Sequence, residues 1–228
     1  SSLIRELLLE GVQLWRVPSG QELDIARRMS IDPLVVYAEP NYRFQASIPP
    51  AGLEQITATP DDPSLSKQWA HTLMQSKPAW DISTGSSSII IAIIDSGIDE
   101  THPDLAAKIV PGYDFVDDDT NPHDENGHGT HVAGIAAAIT NNTIGVAGMD
   151  WQARIMPVRI LDYYGATNSA DVADGIVWAY TNGAKVLNLS LGGYEDVTAI
   201  KEAVDAAYAA GSLVVAAMGN DNLETPAY

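Results

Sequence analysis

The sequence contains no cysteine. Disulfide bonds, thiolate nucleophiles and cysteine-ligated zinc are therefore excluded. Basic residues are few: 12 lysines and arginines stand against 30 acidic residues, for a formal net charge of −18. Phosphate binding requires clustered lysine and arginine, so this charge argues against nucleic acid as a partner. No apolar run approaches the roughly 20 residues of a membrane-spanning helix, and we expect no membrane partner either.

A signal peptide is also not visible. Residues 1–11 show no basic segment followed by an apolar one, which is the pattern of a secretory leader. The lack of cysteine is compatible with an extracellular protein that is stabilised by metal ions. We therefore expect a secreted protein whose signal peptide is not part of this sequence.

Apolar residues make up 46% of the chain, enough for a substantial core. A stretch rich in proline, alanine and threonine at residues 45–64 has no hydrophobic period and predicts a linker. Before it, residues 7–17 alternate as in a strand, and residues 20–30 predict a short helix with acids first and arginines last. Residues 33–46 predict a second extended segment, interrupted by Pro40. These elements predict a small α+β unit.

Beyond the linker, four unbroken apolar runs predict strands that are buried on both faces. They are residues 88–95, 153–161, 184–193 and 211–220. Helical stretches at 131–140, 169–183 and 198–211 separate them. This alternation predicts an α/β fold with a doubly wound, mostly parallel sheet. Function in such sheets gathers at the carboxyl ends of the strands, where Asp95, Ser190 and Asn220 fall.

Two histidines, His128 and His131, stand three residues apart at the start of a predicted helix. The common zinc-hydrolase motif H-E-x-x-H spaces its histidines by four and places a glutamate after the first. Here Gly129 and Thr130 lie between them, so zinc hydrolysis is the third choice. The preferred interpretation is catalytic: Asp95 ends a buried strand, and its carboxylate orients the imidazole of His128 as a general base. His131 is then expected to be a packed neighbour.

Six segments resemble, in order and spacing, the motifs of the subtilisin-like serine peptidases, peptidase family S8, and particularly the thermitase-like branch. They are IIDSGID, HPDL, NGHGTHVAGIAAA, NNTIGVAG, LNLSLGG and VVAAMGN. The match extends from about Asp62 to the last residue. Upstream, VVYAEPNYRFQA is similar to the end of the inhibitory propeptide of that family. The resemblance implies a subtilisin-like fold and a serine endopeptidase activity.

The resemblance also implies site residues. Asp95 matches the triad aspartate and His128 the triad base, while Asn220 matches the asparagine that donates to the oxyanion. The segment that pairs with the substrate as an added strand and walls the S1 pocket is matched by Ser190, Leu191, Gly192 and Gly193. Met218 stands where the family usually has alanine, which implies a changed pocket.

The nucleophilic serine of the family lies in a Gly-Thr-Ser segment well after the oxyanion asparagine, and no such segment occurs in this sequence. Ser190 lies in NLSLG, which is only faintly similar to the nucleophile elbow G-x-S-x-G because Asn188 replaces its first glycine. We therefore expect this chain alone to be inactive. The serine is expected on a complementary C-terminal fragment of the same protease, separated by a nick or lost by truncation.

Calcium is the cofactor that the resemblance implies. Residues 112–127 contain six acids, and like charges so close together repel unless a cation lies among them. The implied ligands of this first site are Asp114, Asp117, Asp119, Asn121 and His123. Those of a second site are Asp62, Asp104 and Asn142 with the carbonyl groups of Ile144 and Val146. The alternatives are a solvated charge run and an ordinary turn.

Taken together, the sequence predicts an inhibitory propeptide at residues 1–47, a linker with the processing region at 48–60, and the N-terminal part of a catalytic domain at 61–228. The expected function is that of a calcium-dependent serine endopeptidase in its zymogen form, acting on protein or peptide substrates. Its own propeptide is expected to inhibit it by lying along the substrate edge. The alternative is a catalytically dead subtilisin-like module that only binds peptides.

Overall fold

The computed structural model describes residues 2–6, 13–40, 59–193 and 196–220. The chain forms two compact units, Ser1–Ala51 and Gly52–Tyr228. Most of the predicted linker at 48–60 lies outside the described residues, so its boundaries and the division into propeptide and catalytic domain stay predictions.

The first unit contains an antiparallel pair of strands and one helix. The elements are β1 (Ser2–Glu6), β2 (Gln13–Arg16) and α1 (Glu22–Met29). The prediction of α1 is confirmed. Of the strand predicted over residues 7–17, the structure describes residues 13–17, where Gln13–Arg16 form β2 and pair with β1. Residues 7–12 lie outside the described part of the chain.

The second extended segment was predicted over residues 33–46, and this prediction is wrong for residues 33–40, which the structure describes. Residues 33–40 form turns and irregular backbone instead of a strand. The cause is local: the Asp32 side chain accepts a hydrogen bond from the Leu34 amide at 2.9 Å, and its carbonyl accepts one from Val35. Such an Asx turn competes with extended structure. Residues 41–46 are outside the described ranges.

The second unit is built on a five-stranded parallel sheet with the order β4-β5-β3-β6-β7. The strands are β3 (Ile90–Asp95), β4 (Tyr113–Asp114), β5 (Arg154–Arg159), β6 (Val186–Leu189) and β7 (Leu213–Ala216). The helices are α2 (Trp69–Leu73), α3 (Ser76–Trp80), α4 (His128–Ala137), α5 (Ser169–Thr181) and α6 (Thr198–Ala209). The predicted α/β fold is confirmed.

Helices cover both faces of the sheet because the central strand alternates between them. Ile93 of β3 packs with α4 on one face, while Ala92 and Ile94 join the core that α5 and α6 cover on the other. All three side chains are fully buried. The unbroken apolar run that marked β3 in the sequence thus follows from its two buried faces. No helix within the described ranges has the length and apolar character needed to cross a membrane.

Lys108 is a charged side chain inside this core. It is 7% exposed, and its Nζ donates to the backbone oxygen of Asp150 at 3.0 Å and lies 3.5 Å from that of Ala138, at the C-terminal end of α4. Burial lowers the pKa of Lys108 to about 8, although the Asp150 and Asp104 carboxylates act in the opposite direction. The folded state therefore holds the Lys108 proton less tightly than the unfolded chain does.

The free energy of unfolding should rise with pH between about 8 and about 10.5, since in this range the unfolded chain keeps a proton that folded Lys108 has lost. This pKa shift of Lys108 corresponds to a gain of up to about 3 kcal/mol in the free energy of unfolding. Urea unfolding of the wild type and of Lys108→Met, at about pH 7 and about pH 10, measures this contribution of Lys108. The wild type should gain stability relative to the variant at the higher pH, and a difference that does not change with pH would contradict the assignment.

Candidate active site

The side chains of Asp95 and His128 meet at the carboxyl edge of the sheet. Asp95 is the last residue of β3, and His128 is the first residue of α4. His128 Nδ1 lies 2.7 Å from Asp95 Oδ1. A carboxylate accepts hydrogen bonds only, so Nδ1 carries the proton and Nε2 is left as the basic nitrogen of a neutral imidazole. This is the arrangement that a general base requires.

The two members of this pair differ in exposure. The Asp95 side chain is fully buried, whereas that of His128 is 47% exposed. Asp95 Oδ1 also accepts the Ser96 amide at 2.7 Å, while its buried Oδ2 has no hydrogen-bond partner among the described residues. A buried anion beside an accessible imidazole stabilises the imidazolium that forms when the base takes a proton.

Two glycines allow α4 to begin so close to the end of β3. Gly127 precedes the helix at φ +98°, a left-handed conformation that favours glycine. At Gly129 a Cβ atom would lie 2.2 Å from the carbonyl oxygen of Gly97 and 3.2 Å from Asp95 Cβ. The sequence Gly-His-Gly therefore sets the backbone approach that puts the imidazole on the carboxylate.

Asp124 connects the start of α4 to the residue after Asp95. Its Oδ1 accepts hydrogen bonds from the Ser96 hydroxyl at 2.8 Å and from the Gly127 amide at 2.8 Å, and its Oδ2 accepts the Thr130 amide at 2.9 Å. Burial acts to raise the pKa of Asp124, but hydrogen bonds from Thr130 and Gly127 outweigh it and hold the pKa below its usual value. In the sequence, Asp124 is distinguished only as one of the six acids of its loop.

The predicted substrate-binding residues lie on the same edge of the sheet. Ser190 directly follows β6 and leads into Leu191, Gly192 and Gly193, while Met218 and Asn220 follow β7. Ser190 Oγ accepts a hydrogen bond from the Asn188 amide at 2.9 Å. Met218 is 77% exposed. Within the described part of the chain, Asn220 makes no hydrogen bond to Asp95 or His128. The structure therefore places Asn220 at this edge of the sheet but does not direct its side chain at the pair.

A pair of exposed tyrosines flanks the site on the other side. β5 and β6 are the two neighbours of β3, and Tyr163 and Tyr164 follow β5 as Ser190 follows β6. Their side chains are 60% and 86% exposed, and their rings pack edge to face. Asn126 holds this loop by donating to the Tyr163 carbonyl oxygen at 2.8 Å. In the sequence, these residues are marked only by two adjacent tyrosines after a predicted strand, and the motifs of the family do not include them.

An arginine side chain from β5 pairs with the acid-rich loop at residues 112–127. The guanidinium of Arg159, at the end of β5, donates to Asp114 and Asp117 at 2.7 Å each and to Glu125 at 2.8 Å. Burial acts to lower the pKa of Arg159, but its hydrogen bonds to Asp114 and Asp117 keep that pKa above the usual value. The expectation that a cation lies among these acids is met at Asp114, Asp117 and Glu125 by an arginine side chain.

The other residues of the first predicted calcium site bond to different partners and not to one common centre. Asp119 accepts the Asn121 amide at 2.7 Å. The His123 ring instead pairs with Glu100 at 2.9 Å, and this hydrogen bond raises the pKa of His123. Among the described residues, no group of three or more histidine, aspartate and glutamate side chains is arranged to hold a metal ion. Calcium at this loop stays a prediction.

The second predicted calcium site is brought together on one loop. Asp62 Oδ2 accepts the Asn141 amide at 2.8 Å, Asp104 Oδ1 accepts the Asn142 side-chain amide at 2.8 Å, and Asp104 Oδ2 accepts the Val146 amide at 2.9 Å. Asp62 is 4% exposed, and its Oδ1 has no partner among the described residues. A buried carboxylate oxygen without a donor fits a hard cation such as Ca²⁺.

His131 does not match its expectation. It was predicted to be a packed neighbour of the base, but the structure places it on the exposed side of α4. The reason is the helical spacing: three residues turn the side chain by about 300°, and the buried side of α4 is occupied by small residues such as Ala133 and Ala137.

Comparisons with known proteins identify the family of the chain. Residues 86–228 match the model of the subtilase family, Peptidase S8. The chain is 49% identical to thermitase from Thermoactinomyces vulgaris over 171 residues, covering 75% of this chain and 61% of that protein. It is 46% identical to the thermophilic serine proteinase of Bacillus sp. strain AK1 over 202 residues, covering 88% of this chain and 48% of that protein.

A solved structure of a protease from Pseudoalteromonas arctica PAMC 21717 has a TM-score of 0.66 and 36% identity, over 72% of this chain and 60% of that one. The chain thus spans only about half to three fifths of the length of these relatives. The order of the motifs, the parallel sheet and these similarities lead to one assignment. The chain belongs to the subtilase family of serine peptidases, peptidase family S8.

Proposed function

We propose that the chain is the N-terminal part of the proform of a calcium-dependent serine endopeptidase. His128 acts as general base, Asp95 orients and stabilises its imidazolium, and Asn220 donates to the oxyanion. The nucleophilic serine comes from a segment outside residues 1–228. The observation that carries the proposal is the 2.7 Å contact between His128 Nδ1 and Asp95 Oδ1 at the strand edge.

The proposed reaction proceeds by acyl transfer. His128 Nε2 takes the proton of the serine hydroxyl as its oxygen attacks the scissile carbonyl carbon, and later delivers that proton to the leaving amine. Asp95 stays ionised throughout and stabilises the imidazolium. Water then repeats the sequence on the acyl-enzyme. A peptide lying beside Ser190 to Gly193 as an added strand would present its carbonyl group to this edge.

A fluorophosphonate reaction tests this proposal against the peptide-binding alternative. The full-length protein, containing residues 1–228 and their continuation, is treated with a fluorophosphonate and assayed on a peptide substrate. The proposal predicts turnover and its loss on labelling. Peptide affinity without labelling and without turnover would instead favour the non-catalytic module.

Calcium is proposed at the loop that Asp62 and Asp104 hold. The carboxylates of these two residues, the amide oxygen of Asn142 and the carbonyl oxygens of Ile144 and Val146 would supply its oxygen ligands. Bound Ca²⁺ contributes no chemical step: it ties the N-terminal arm to the loop at 141–146. Binding to the folded state alone stabilises it by about 4 kcal/mol at a thousandfold excess over Kd.

Removal of calcium by a chelator should therefore lower Tm and increase hydrogen exchange in the arm at residues 61–65. Asp62→Asn should reduce this response, because it removes the charge of the buried carboxylate. Asp61→Asn is the matched control, since Asp61 is exposed and, among the described residues, its side chain accepts a hydrogen bond from the Thr143 amide alone. Equal chelator responses in the wild type and in Asp62→Asn would contradict the site.

The first unit is proposed to be the inhibitory propeptide. Its last segment, near residues 44–47, would occupy the substrate edge until it is digested, with cleavage between residues 46 and 60. Secretion is proposed on the same grounds. Both proposals rest on the similarity of the sequence to the family, since residues 41–58 lie outside the described part of the chain.

A further inference from the structure

Asp124 receives hydrogen bonds from three parts of the site at once. Its Oδ1 accepts the Ser96 hydroxyl at 2.8 Å, the Asn126 amide at 3.0 Å and the Gly127 amide at 2.8 Å. Its Oδ2 accepts both the amide and the hydroxyl of Thr130, at 2.9 and 2.5 Å. One carboxylate therefore accepts five hydrogen bonds, more than the roughly four lone-pair sites of its two oxygens, so its acceptor capacity is filled.

These donors belong to the two elements that hold the Asp95–His128 pair. Ser96 follows Asp95 directly and is 1% exposed, and its amide donates to Asp95 Oδ1. Gly127 and Thr130 bracket His128 in the first turn of α4. The Ser96 hydroxyl completes this hydrogen-bond network, because it also accepts a hydrogen bond from the Gly129 amide at 2.9 Å.

We propose that Asp124 is a positioning residue for the catalytic base: it fastens the first turn of α4 to the end of β3 and thereby fixes the imidazole of His128 on Asp95. Asp124 touches neither the imidazole nor the substrate edge in the described contacts. Its effect must therefore pass through Ser96, Gly127 and Thr130. This inference rests on the proposed function, because it assigns a role within that site.

The test is Asp124→Asn in the full-length protein. Asparagine has the same shape, but it loses the charge and replaces one acceptor by an amide donor that faces either the Ser96 and Gly127 donors or those of Thr130. We expect kcat to fall by roughly 10- to 100-fold, since misplacement of a catalytic group by about 1 Å costs about 10². KM should stay within about twofold, because uniform substrate binding is unaffected.

Two further readouts separate positioning from stability. The Nδ1–H proton of His128, followed by NMR, should exchange faster with solvent in Asp124→Asn, because the first turn of α4 no longer holds the imidazole on Asp95. Ser96→Ala removes the other side chain of the same hydrogen-bond network. Its effect and that of Asp124→Asn should be less than additive in the double variant, as for residues of one network.

Asp118→Asn is the matched control. It removes one charge from the same acidic loop, and among the described residues its Oδ1 accepts a hydrogen bond from the Tyr113 hydroxyl alone. Its kcat and the exchange rate of its His128 Nδ1–H proton should equal those of the wild type. If Asp124→Asn behaves like Asp118→Asn, or loses activity only in proportion to its unfolded fraction, the positioning role is refuted.

The outcome also separates this inference from the proposed function. A wild type that is active and labelled by fluorophosphonate, with a normal Asp124→Asn variant, refutes the inference alone. A wild type that is neither active nor labelled refutes the proposed function. In that case the exchange rate of the His128 Nδ1–H proton, followed by NMR, still decides the positioning role: it should be higher in Asp124→Asn than in Asp118→Asn, and equal rates would refute it.

Discussion

Replacing His128 by alanine in the full-length protein should abolish peptide hydrolysis almost completely. The expected loss of kcat is on the order of 10⁶-fold, which is the size known for the corresponding change in subtilisin rather than a value obtained from this structure. The reason is that the serine hydroxyl loses the base that takes its proton, while the buried Asp95 carboxylate loses the hydrogen bond from His128 Nδ1. Steady-state kinetics on a chromogenic peptide measure the effect.

His131→Ala is the control for this experiment. His131 lies on the same helix three residues further along, and the structure places it in solvent. Its removal should leave kcat within about twofold, since exposed substitutions away from a site change little. A comparable loss in both variants would point to a shared role, such as metal binding, and would contradict the assignment of His128 as the base.

Gly129→Ala should damage both activity and stability. The added methyl group would lie 2.2 Å from the carbonyl oxygen of Gly97 and 3.3 Å from Asp95 Oδ1, so the first turn of α4 must move away from β3. Overpacking of this kind costs about 1 to 3 kcal/mol. Displacement of the imidazole by about 1 Å lowers kcat by a further factor of about 10² in the protein that remains folded.

Gly134→Ala in the same helix is the matched control. A Cβ atom there meets nothing within 4 Å, and alanine is favoured over glycine inside a helix by about 0.5–1 kcal/mol. Tm should therefore rise in Gly134→Ala and fall in Gly129→Ala, with kcat lowered only in the latter. Equal effects of the two changes would show that the close approach at Gly129 does not control the site.

The parts of this fold that the sequence predicted well are those that local patterns encode. Strand β3 is an unbroken apolar run that ends in Asp95, and α4 begins at a Gly-His-Gly sequence. Both features depend on residues that are close together in the chain. The contact between Asp95 and His128 then follows from the parallel α/β arrangement, in which functional groups gather at the carboxyl edge of the sheet.

The parts that were missed depend on partners that are distant in the chain. Arg159 pairs with three acids of the acid-rich loop, but it lies 45 residues after Asp114, so the local charge pattern alone suggested a metal. Tyr163 reaches the site through Asn126, 37 residues earlier. In the first unit, the side chain of Asp32 imposes a turn where the hydrophobic pattern favoured a strand.

Asp124 shows a third reason for such misses. Its residue type fits the surrounding acidic loop, so composition gives no sign of its contacts. Its role becomes visible only when the Ser96 hydroxyl and the first turn of α4 are found on its two oxygens. A carboxylate that accepts five hydrogen bonds is recognised from three-dimensional contacts and not from sequence spacing.

The central claim is that the Asp95–His128 pair activates a serine that lies outside residues 1–228. Its most direct test is to label the full-length wild type and His128→Ala with a fluorophosphonate and to locate the modified residue by peptide mass spectrometry. We expect one labelled serine in the continuation of the chain in the wild type, and no labelling in His128→Ala. Labelling of Ser190, or equal labelling of both proteins, would contradict it.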